Sequence, residues 1–176
     1  CIQIDEEIKE DHFAYTEGYR KISQITLDRI KRTLNKLDGS QGFKVLKQDR
    51  STLYKWQDFN SEVDGGIVDL FSRLELNYKN PLQDGTKAED FITEIILQKG
   101  FPLTSDQEEV SKGIFKITHE WVPYIMYVTM NGELSDSDIT TLNLSSTDHF
   151  VCLDKAFNGN DALKQTLANK CNLFTI

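Results

Sequence analysis

The chain has 176 residues, of which 39% are hydrophobic, 10% aromatic and 27% charged. This composition supports one core or two small ones and excludes a disordered or low-complexity tail. No stretch approaches the roughly 20 apolar residues that cross a bilayer, and no secretory signal is recognisable, so we expect a cytoplasmic protein without membrane contact. Three widely spaced cysteines and three unclustered histidines predict neither a disulfide framework nor a metal site.

Charge divides the chain into two parts. Residues 1–50 contain ten Lys and Arg against nine Asp and Glu, whereas residues 51–176 contain ten against nineteen, a net charge of −9. DNA affinity comes mostly from neutralising phosphates, so the acidic part is not expected to form the main DNA-contacting surface. We therefore expect residues 51–176 to contact protein.

The first part predicts a β-α-β unit, the building block of a parallel sheet. Cys1–Ile4 is a short apolar strand that runs into acidic residues with no preceding turn, so we expect further strands of its sheet to lie upstream. Apolar residues recur at helical spacing over Ser23–Leu37, and Phe43–Lys47 alternates as a second strand.

The helix predicted over Ser23–Leu37 has a positively charged exposed side. Six basic residues lie between Arg20 and Lys36, against the single acid Asp28. Either these charges only solvate the helix, or they face DNA phosphates. The candidates for phosphate contact are Arg29, Lys31, Arg32 and Lys36.

The second part predicts an α/β unit of its own, in which periodic segments alternate with turn signals. In chain order we expect a loop at 53–63, paired helices at about 66–78 and 86–99, antiparallel strands at 114–118 and 123–130, a capped helix at 135–142, a strand at 149–153, a helix at 160–171 and a last strand at 173–176.

The segment Phe150–Lys164 reads FVCLDKAFNGNDALK, and the chain ends on Phe174-Thr175-Ile176. This pattern resembles the closing motif of type III restriction-modification DNA-adenine methyltransferases, in which F-I/V-C-L-D is followed by A-F-x-G-N-D-x-L-K, a helix and F-x-T-I. Further stretches are similar to the family in the same order along the chain: Ile2–Glu6, Gly18–Ser23, Asp28–Arg32, Gly42–Lys47 and Glu89–Leu103.

The resemblance implies the C-terminal part of a modification subunit, which transfers the methyl group of S-adenosylmethionine to the exocyclic amine of adenine in double-stranded DNA. It also implies a second modification subunit and a restriction subunit as partners. The D-P-P-Y loop that grips the flipped adenine and the Gly-rich F-x-G-x-G turn are absent from the sequence, so we expect the fragment alone to be inactive and assign no catalytic residue. Residues 1–50 would be the rear part of a Rossmann-like methyltransferase sheet, and residues 51–176 a small α/β domain for assembly.

The resemblance also indicates where S-adenosylmethionine would be contacted in the full-length protein. Gln3 and Asp5 match the end of the family strand beside the cofactor ribose, where nucleotide-binding folds often place a hydrogen-bonding side chain. Asp49 and Ser51 follow the second predicted strand at the same sheet edge. The plain alternatives are that the acids around Asp5 cap a turn and that Asp49-Arg50-Ser51 is itself an ordinary turn.

Two other functions fit parts of the sequence. One is a free-standing acidic interaction domain with no role in methyl transfer. The other is a small, complete nucleotide-binding enzyme, which would need a Gly-rich loop that the sequence lacks. Gly159-Asn160-Asp161 is not such a loop, because Asn160 and Asp161 are explained as a helix cap.

Overall fold

The computed structural model describes residues 2–37, 42–54, 70–72, 74–75 and 79–176. The chain forms two compact units, Cys1–Lys47 and Gln48–Ile176. Among the described helices, none is long and apolar enough to cross a membrane.

The first unit is built on two helices, α1 (Phe13–Thr16) and α2 (Ile22–Leu34). The Gln24 side-chain oxygen reaches back to accept a hydrogen bond from the backbone N–H of Lys21, at 3.1 Å, which satisfies a donor at the start of α2. An antiparallel bridge between Glu7 and Lys21 ties the N-terminal segment to the same place. The helix predicted over Ser23–Leu37 is confirmed, and it ends at Leu34.

The two strands predicted for the first part are wrong. Neither residues 2–4 nor residues 43–47 form a strand, so the β-α-β unit is not present. Their apolar side chains are exposed: Ile2 is 100% accessible, Ile4 79% and Val45 64%. A strand needs a neighbour that accepts and donates its backbone hydrogen bonds, and the described residues of this unit supply none to these segments.

The second unit contains a five-stranded mixed sheet in which the strands lie side by side in chain order. The second strand pairs antiparallel with the first and with the third, whereas the third, fourth and fifth strands run parallel. The strands predicted at 114–118, 123–130, 149–153 and 173–176 are confirmed with small shifts of their ends, and the first strand was not predicted. The strands are β1 (Asp106–Ser111), β2 (Ile114–Thr118), β3 (Met126–Thr129), β4 (His149–Cys152) and β5 (Asn172–Thr175).

Helices cover both faces of this sheet and create two cores. Helix α3 (Ala88–Gln98) packs its apolar side on Met126, Val128 and Val151. Helices α4 (Asp136–Thr140) and α5 (Asp161–Lys170) pack on the opposite face. The helices predicted at 86–99, 135–142 and 160–171 are therefore confirmed, and the chain is α/β.

Two expectations fall largely outside the described residues. In the helix predicted at about 66–78, residues 70–72 and 74–75 are helical, and residue 79 beyond it is helical too; residues 66–69, 73 and 76–78 lie outside the described part. The pairing of this helix with α3 is likewise not tested. Of the loop predicted at 53–63, only residues 53 and 54 are described.

The connections between the parallel strands lie on one face of the sheet. Helix α4 joins β3 to β4 and helix α5 joins β4 to β5, and both contribute to the same core. Open α/β sheets bind ligands at a switch point, where successive connections leave on opposite faces and open a crevice at the carboxyl ends of the strands. Within the described residues, β3, β4 and β5 have no such switch point.

Candidate functional site

The two cofactor candidates of the first unit are exposed, and one of them is already engaged. Asp5 accepts a hydrogen bond from the Lys21 ammonium at 2.6 Å, within an ion pair. This hydrogen bond, together with the attraction between the charges, raises the pKa of Lys21. The carboxylate therefore holds the N-terminal segment to the start of α2, and Gln3 lies exposed nearby in sequence.

The two cofactor candidates of the second unit make local contacts. Asp49 accepts a hydrogen bond from the backbone N–H of Arg50 at 2.7 Å, as expected of a turn residue. The Ser51 hydroxyl donates to Glu94 at 2.6 Å. Because Gln3 and Asp5 belong to one unit and Asp49 and Ser51 to the other, neither unit alone brings the four candidates together.

Glu94 was not singled out in the sequence, yet it organises the start of the second unit. Its carboxylate accepts hydrogen bonds from the Ser51 hydroxyl, the Thr52 hydroxyl and the Thr52 backbone N–H, the last at 2.6 Å. Burial on its own would raise the pKa of Glu94, but these hydrogen bonds and one from Gln98 stabilise the carboxylate and lower its pKa. This arrangement, the Glu94 clamp, fixes the segment Ser51-Thr52 to α3.

The four candidates for phosphate contact are all exposed on or just after α2. Arg32 forms an ion pair with Asp28 at 2.7 Å. The hydrogen bond from the Tyr19 hydroxyl, at 2.6 Å, is the main reason that the pKa of Asp28 is lowered, and the Arg32 charge adds to it. Arg29, Lys31 and Lys36 have no ion pair within the described residues, so their charges are available to a partner.

The motif that carries the resemblance forms the centre of the second unit. Phe150, Val151 and Cys152 are 0% exposed and Leu153 is 1% exposed. Burial raises the pKa of the Cys152 thiol to about 12, with a smaller effect from Asp154, so this thiol is not a nucleophile. The helix-cap interpretation of Asn160 is confirmed, because its side chain accepts a hydrogen bond from the backbone N–H of Leu163 at 3.1 Å.

A cluster of three rings and a lysine, here the His149 cluster, lies where β4 begins. The His149 ring is 4.1 Å from the Tyr124 ring and 5.0 Å from the Phe174 ring, between centroids. The Lys99 ammonium lies 3.3 Å from the centroid of the Phe174 ring. The sequence does not reveal this cluster, because Lys99, Tyr124 and Phe174 lie 50, 25 and 25 positions from His149 and no spacing rule connects them.

Two polar groups of the His149 cluster lack the usual partners within the described residues: His149 Nδ1 has no hydrogen bond, and the Lys99 ammonium has no ion pair. His149 Nδ1 is buried and, among the described residues, is the only buried side-chain nitrogen or oxygen that lacks a hydrogen bond. Burial lowers the pKa of His149, the Lys99 charge lowers it further, and Asp148 partly opposes them. Burial also lowers the pKa of Lys99.

No family model, curated protein or solved structure matches this chain.

Proposed function

We propose that the chain is the C-terminal part of the modification subunit of a type III restriction-modification system, a cytoplasmic, adenine-specific DNA methyltransferase. The basis is the ordered set of motifs from Ile2–Glu6 to Phe174-Thr175-Ile176. The structural observation that supports it most is the first unit, whose described residues include apolar side chains but no buried one. Such a unit fits a piece of a larger Rossmann-like sheet.

Helix α2 illustrates what the first unit lacks. Its apolar residues Ile22, Ile30 and Leu34 recur on one side but are only half-buried. Fully burying one such side chain contributes about 1.5–3 kcal/mol, so a surface that covered this side would stabilise the unit strongly. In the proposal that surface belongs to the rest of the methyltransferase core.

The candidate cofactor residues do not fit S-adenosylmethionine by themselves. The Asp5 carboxylate is paired with Lys21, and the Ser51 hydroxyl donates to Glu94. The proposal therefore assigns cofactor binding and methyl transfer to the full-length protein and assigns no catalytic step to this chain.

The second unit is proposed as the part that contacts a second modification subunit and the restriction subunit. The charge of −9 over residues 51–176 opposes approach to the DNA backbone. Its parallel strands offer no switch-point crevice within the described residues, and its two cores are self-contained. Both properties suit a domain that binds other protein subunits and takes no part in the catalytic reaction.

Methyl transfer to DNA tests the proposal. The full-length protein from the same gene, incubated with labelled S-adenosylmethionine and DNA, should transfer label to adenine, whereas the chain Cys1–Ile176 alone should transfer none. Label transferred by this chain alone, or an upstream coding sequence without the D-P-P-Y and F-x-G-x-G motifs, would exclude the proposal.

The exposed cations of α2 are proposed to contact DNA phosphates in the full-length enzyme. Arg29→Ala and Lys36→Ala should each weaken DNA binding equally for all sequences and reduce the slope of log affinity against log salt by about one. Lys112→Ala, an exposed lysine of the second unit, is the matched control and should leave the slope unchanged. Unchanged slopes for all three variants would show that the α2 charges only solvate the helix.

Removal of the second unit tests its role in assembly. Truncation of the full-length protein before residue 51 should impair dimerisation or binding of the restriction subunit more than it impairs cofactor binding, measured by light scattering, pull-down and calorimetry. If dimer and complex persist while cofactor binding is lost, the second unit belongs to the cofactor site.

A free-standing acidic interaction domain is the second candidate, and the self-contained cores of the second unit favour it. The two candidates differ in the methyl-transfer experiment, because an interaction domain has no activity in any length of the protein.

A further inference from the structure

The His149 cluster carries a feature that the methyltransferase proposal does not use: a half-buried cation without a counter-ion. The ammonium of Lys99, the residue that follows α3, lies against the face of the Phe174 ring. It forms no ion pair and no hydrogen bond to a carboxylate anywhere in the described part of the chain. An unneutralised cation is unusual in a part of the chain, residues 51–176, where acidic residues outnumber basic ones by nineteen to ten.

His149 adds a second donor to the same place. With Nδ1 buried and unpartnered, we assign the proton of the neutral ring to Nε2, because this tautomer avoids a buried N–H without an acceptor. The ring is fixed between Tyr124 and Phe174, so Nε2 has little freedom to turn towards another partner. Its N–H donates to no acceptor within the described residues.

The nearby carboxylate does not neutralise these groups. Asp148 is 4% exposed, and its two oxygens accept hydrogen bonds from the backbone N–H groups of Ile125, at 3.0 Å, and Ser145, at 2.9 Å. These hydrogen bonds hold the turn before β4 and leave the carboxylate charged; that charge raises the pKa of His149, but it forms no ion pair with Lys99 within the described residues. The ionisable groups beside His149 are thus Lys99, Tyr124 and Asp148, of which Lys99 alone is an uncompensated cation.

We propose that Lys99 and His149 form a binding site for an oxyanion, a phosphate or carboxylate group, walled by the rings of Tyr124 and Phe174. The ammonium supplies the charge, the imidazole Nε2–H supplies a directed hydrogen bond, and the rings exclude water from one side, which strengthens both. An anion there offsets the repulsion between Lys99 and a protonated His149. The proton that His149 gains goes to the buried Nδ1, which has no acceptor, so the neutral ring and the Lys99 ammonium bind the anion at neutral pH, and binding strengthens as the pH falls and His149 gains that proton. The site is independent of the methyltransferase proposal.

Proton titration of the three histidines by NMR, on the whole chain, tests the site. Without added anion, the pKa of His149 should lie below the ordinary value of a histidine, because burial and the Lys99 charge lower it. Inorganic phosphate should shift the His149 ring signals saturably and raise its pKa, while His12 and His119 remain as internal controls. Acetate should act in the same direction but more weakly; an equal effect would also support the site and would show that charge, not phosphate shape, is recognised. Phosphate that leaves His149 unmoved, or moves all three histidines alike, would overturn the proposal.

Two matched variants sharpen the test. Lys99→Met keeps the length and apolar stem of the side chain, and it should abolish the response of His149 to phosphate while raising its pKa in the absence of anion. Lys87→Met removes an exposed lysine from the opposite end of α3 and should respond like the wild type. A phosphate response in Lys99→Met equal to that of the wild type would overturn the proposal.

Discussion

The two units use the same kind of amphipathic pattern with opposite outcomes. In the second unit, the apolar side of α3 meets the sheet, and Phe91 and Ile95 are 0% exposed. In the first unit, α2 has an apolar side of similar spacing, but none of its residues is buried. An amphipathic sequence thus determines that a helix forms and which side is apolar, but a core forms only when a second surface is present to cover that side.

The largest difference between the units is expected from truncating one apolar residue in each. Phe150→Ala removes a fully buried ring from the interior strand β4 and should lower the free energy of unfolding of the second unit by about 3–5 kcal/mol. Ile30→Ala on α2 should cost less than about 1 kcal/mol, because its side chain is only half-buried. Urea unfolding followed by circular dichroism measures both, and tryptophan fluorescence reports on the second unit alone, because residues 1–47 contain no tryptophan. Equal costs would show that the first unit has a core of its own.

A smaller effect is expected from the buried carboxylate of Asp148. Asp148→Ala leaves the backbone N–H groups of Ile125 and Ser145 without acceptors and should destabilise the second unit by about 2 kcal/mol. Asp148→Asn keeps one acceptor oxygen and should cost less. If both variants unfold at the wild-type urea concentration, water replaces the carboxylate and the turn before β4 does not depend on it.

The smallest predicted effect is a pH dependence of the stability that the Glu94 clamp contributes to the second unit. Because the pKa of Glu94 is lowered on folding, its stabilising contribution is complete above the ordinary value of 4.5 and is lost as the pH falls through the folded value. Glu94→Gln should therefore be less stable than the wild type at neutral pH, with the difference narrowing in acid. A gap between Glu94→Gln and the wild type that stays constant down to acid pH would contradict the clamp.

The sequence predicts most elements of the second unit because their signals are local. Ser135 caps α4 and Asn160 caps α5 through side chains three positions from the N–H groups they satisfy. Strand β1 escaped prediction because it reads Asp-Gln-Glu-Glu-Val-Ser, with five of its six residues exposed and no alternation. Charged side chains on an edge strand discourage pairing with other chains. The same charged residues remove the apolar alternation by which a strand is predicted.

Non-local contacts explain what the sequence does not predict. Glu94 meets Thr52 across 42 positions, and the His149 cluster joins residues from α3, the segment before β3, β4 and β5. Conversely, residues 2–4 and 43–47 have the alternation of strands but no strand to pair with in the described chain. A periodic sequence pattern indicates which face of a segment is apolar, whereas strand pairing depends on whether another strand lies beside that segment.

Hydrogen exchange of the chain by mass spectrometry tests the central claim most directly. The claim is that no surface buries the apolar side of α2 in the first unit, whereas the second unit buries its own cores. Amides of β3 and β4 should exchange only through unfolding of the second unit and stay protected longest. Amides of α2 should exchange faster by orders of magnitude, because a 13-residue helix without a buried side is marginal in water. Protection of α2 equal to that of β3 would contradict the account.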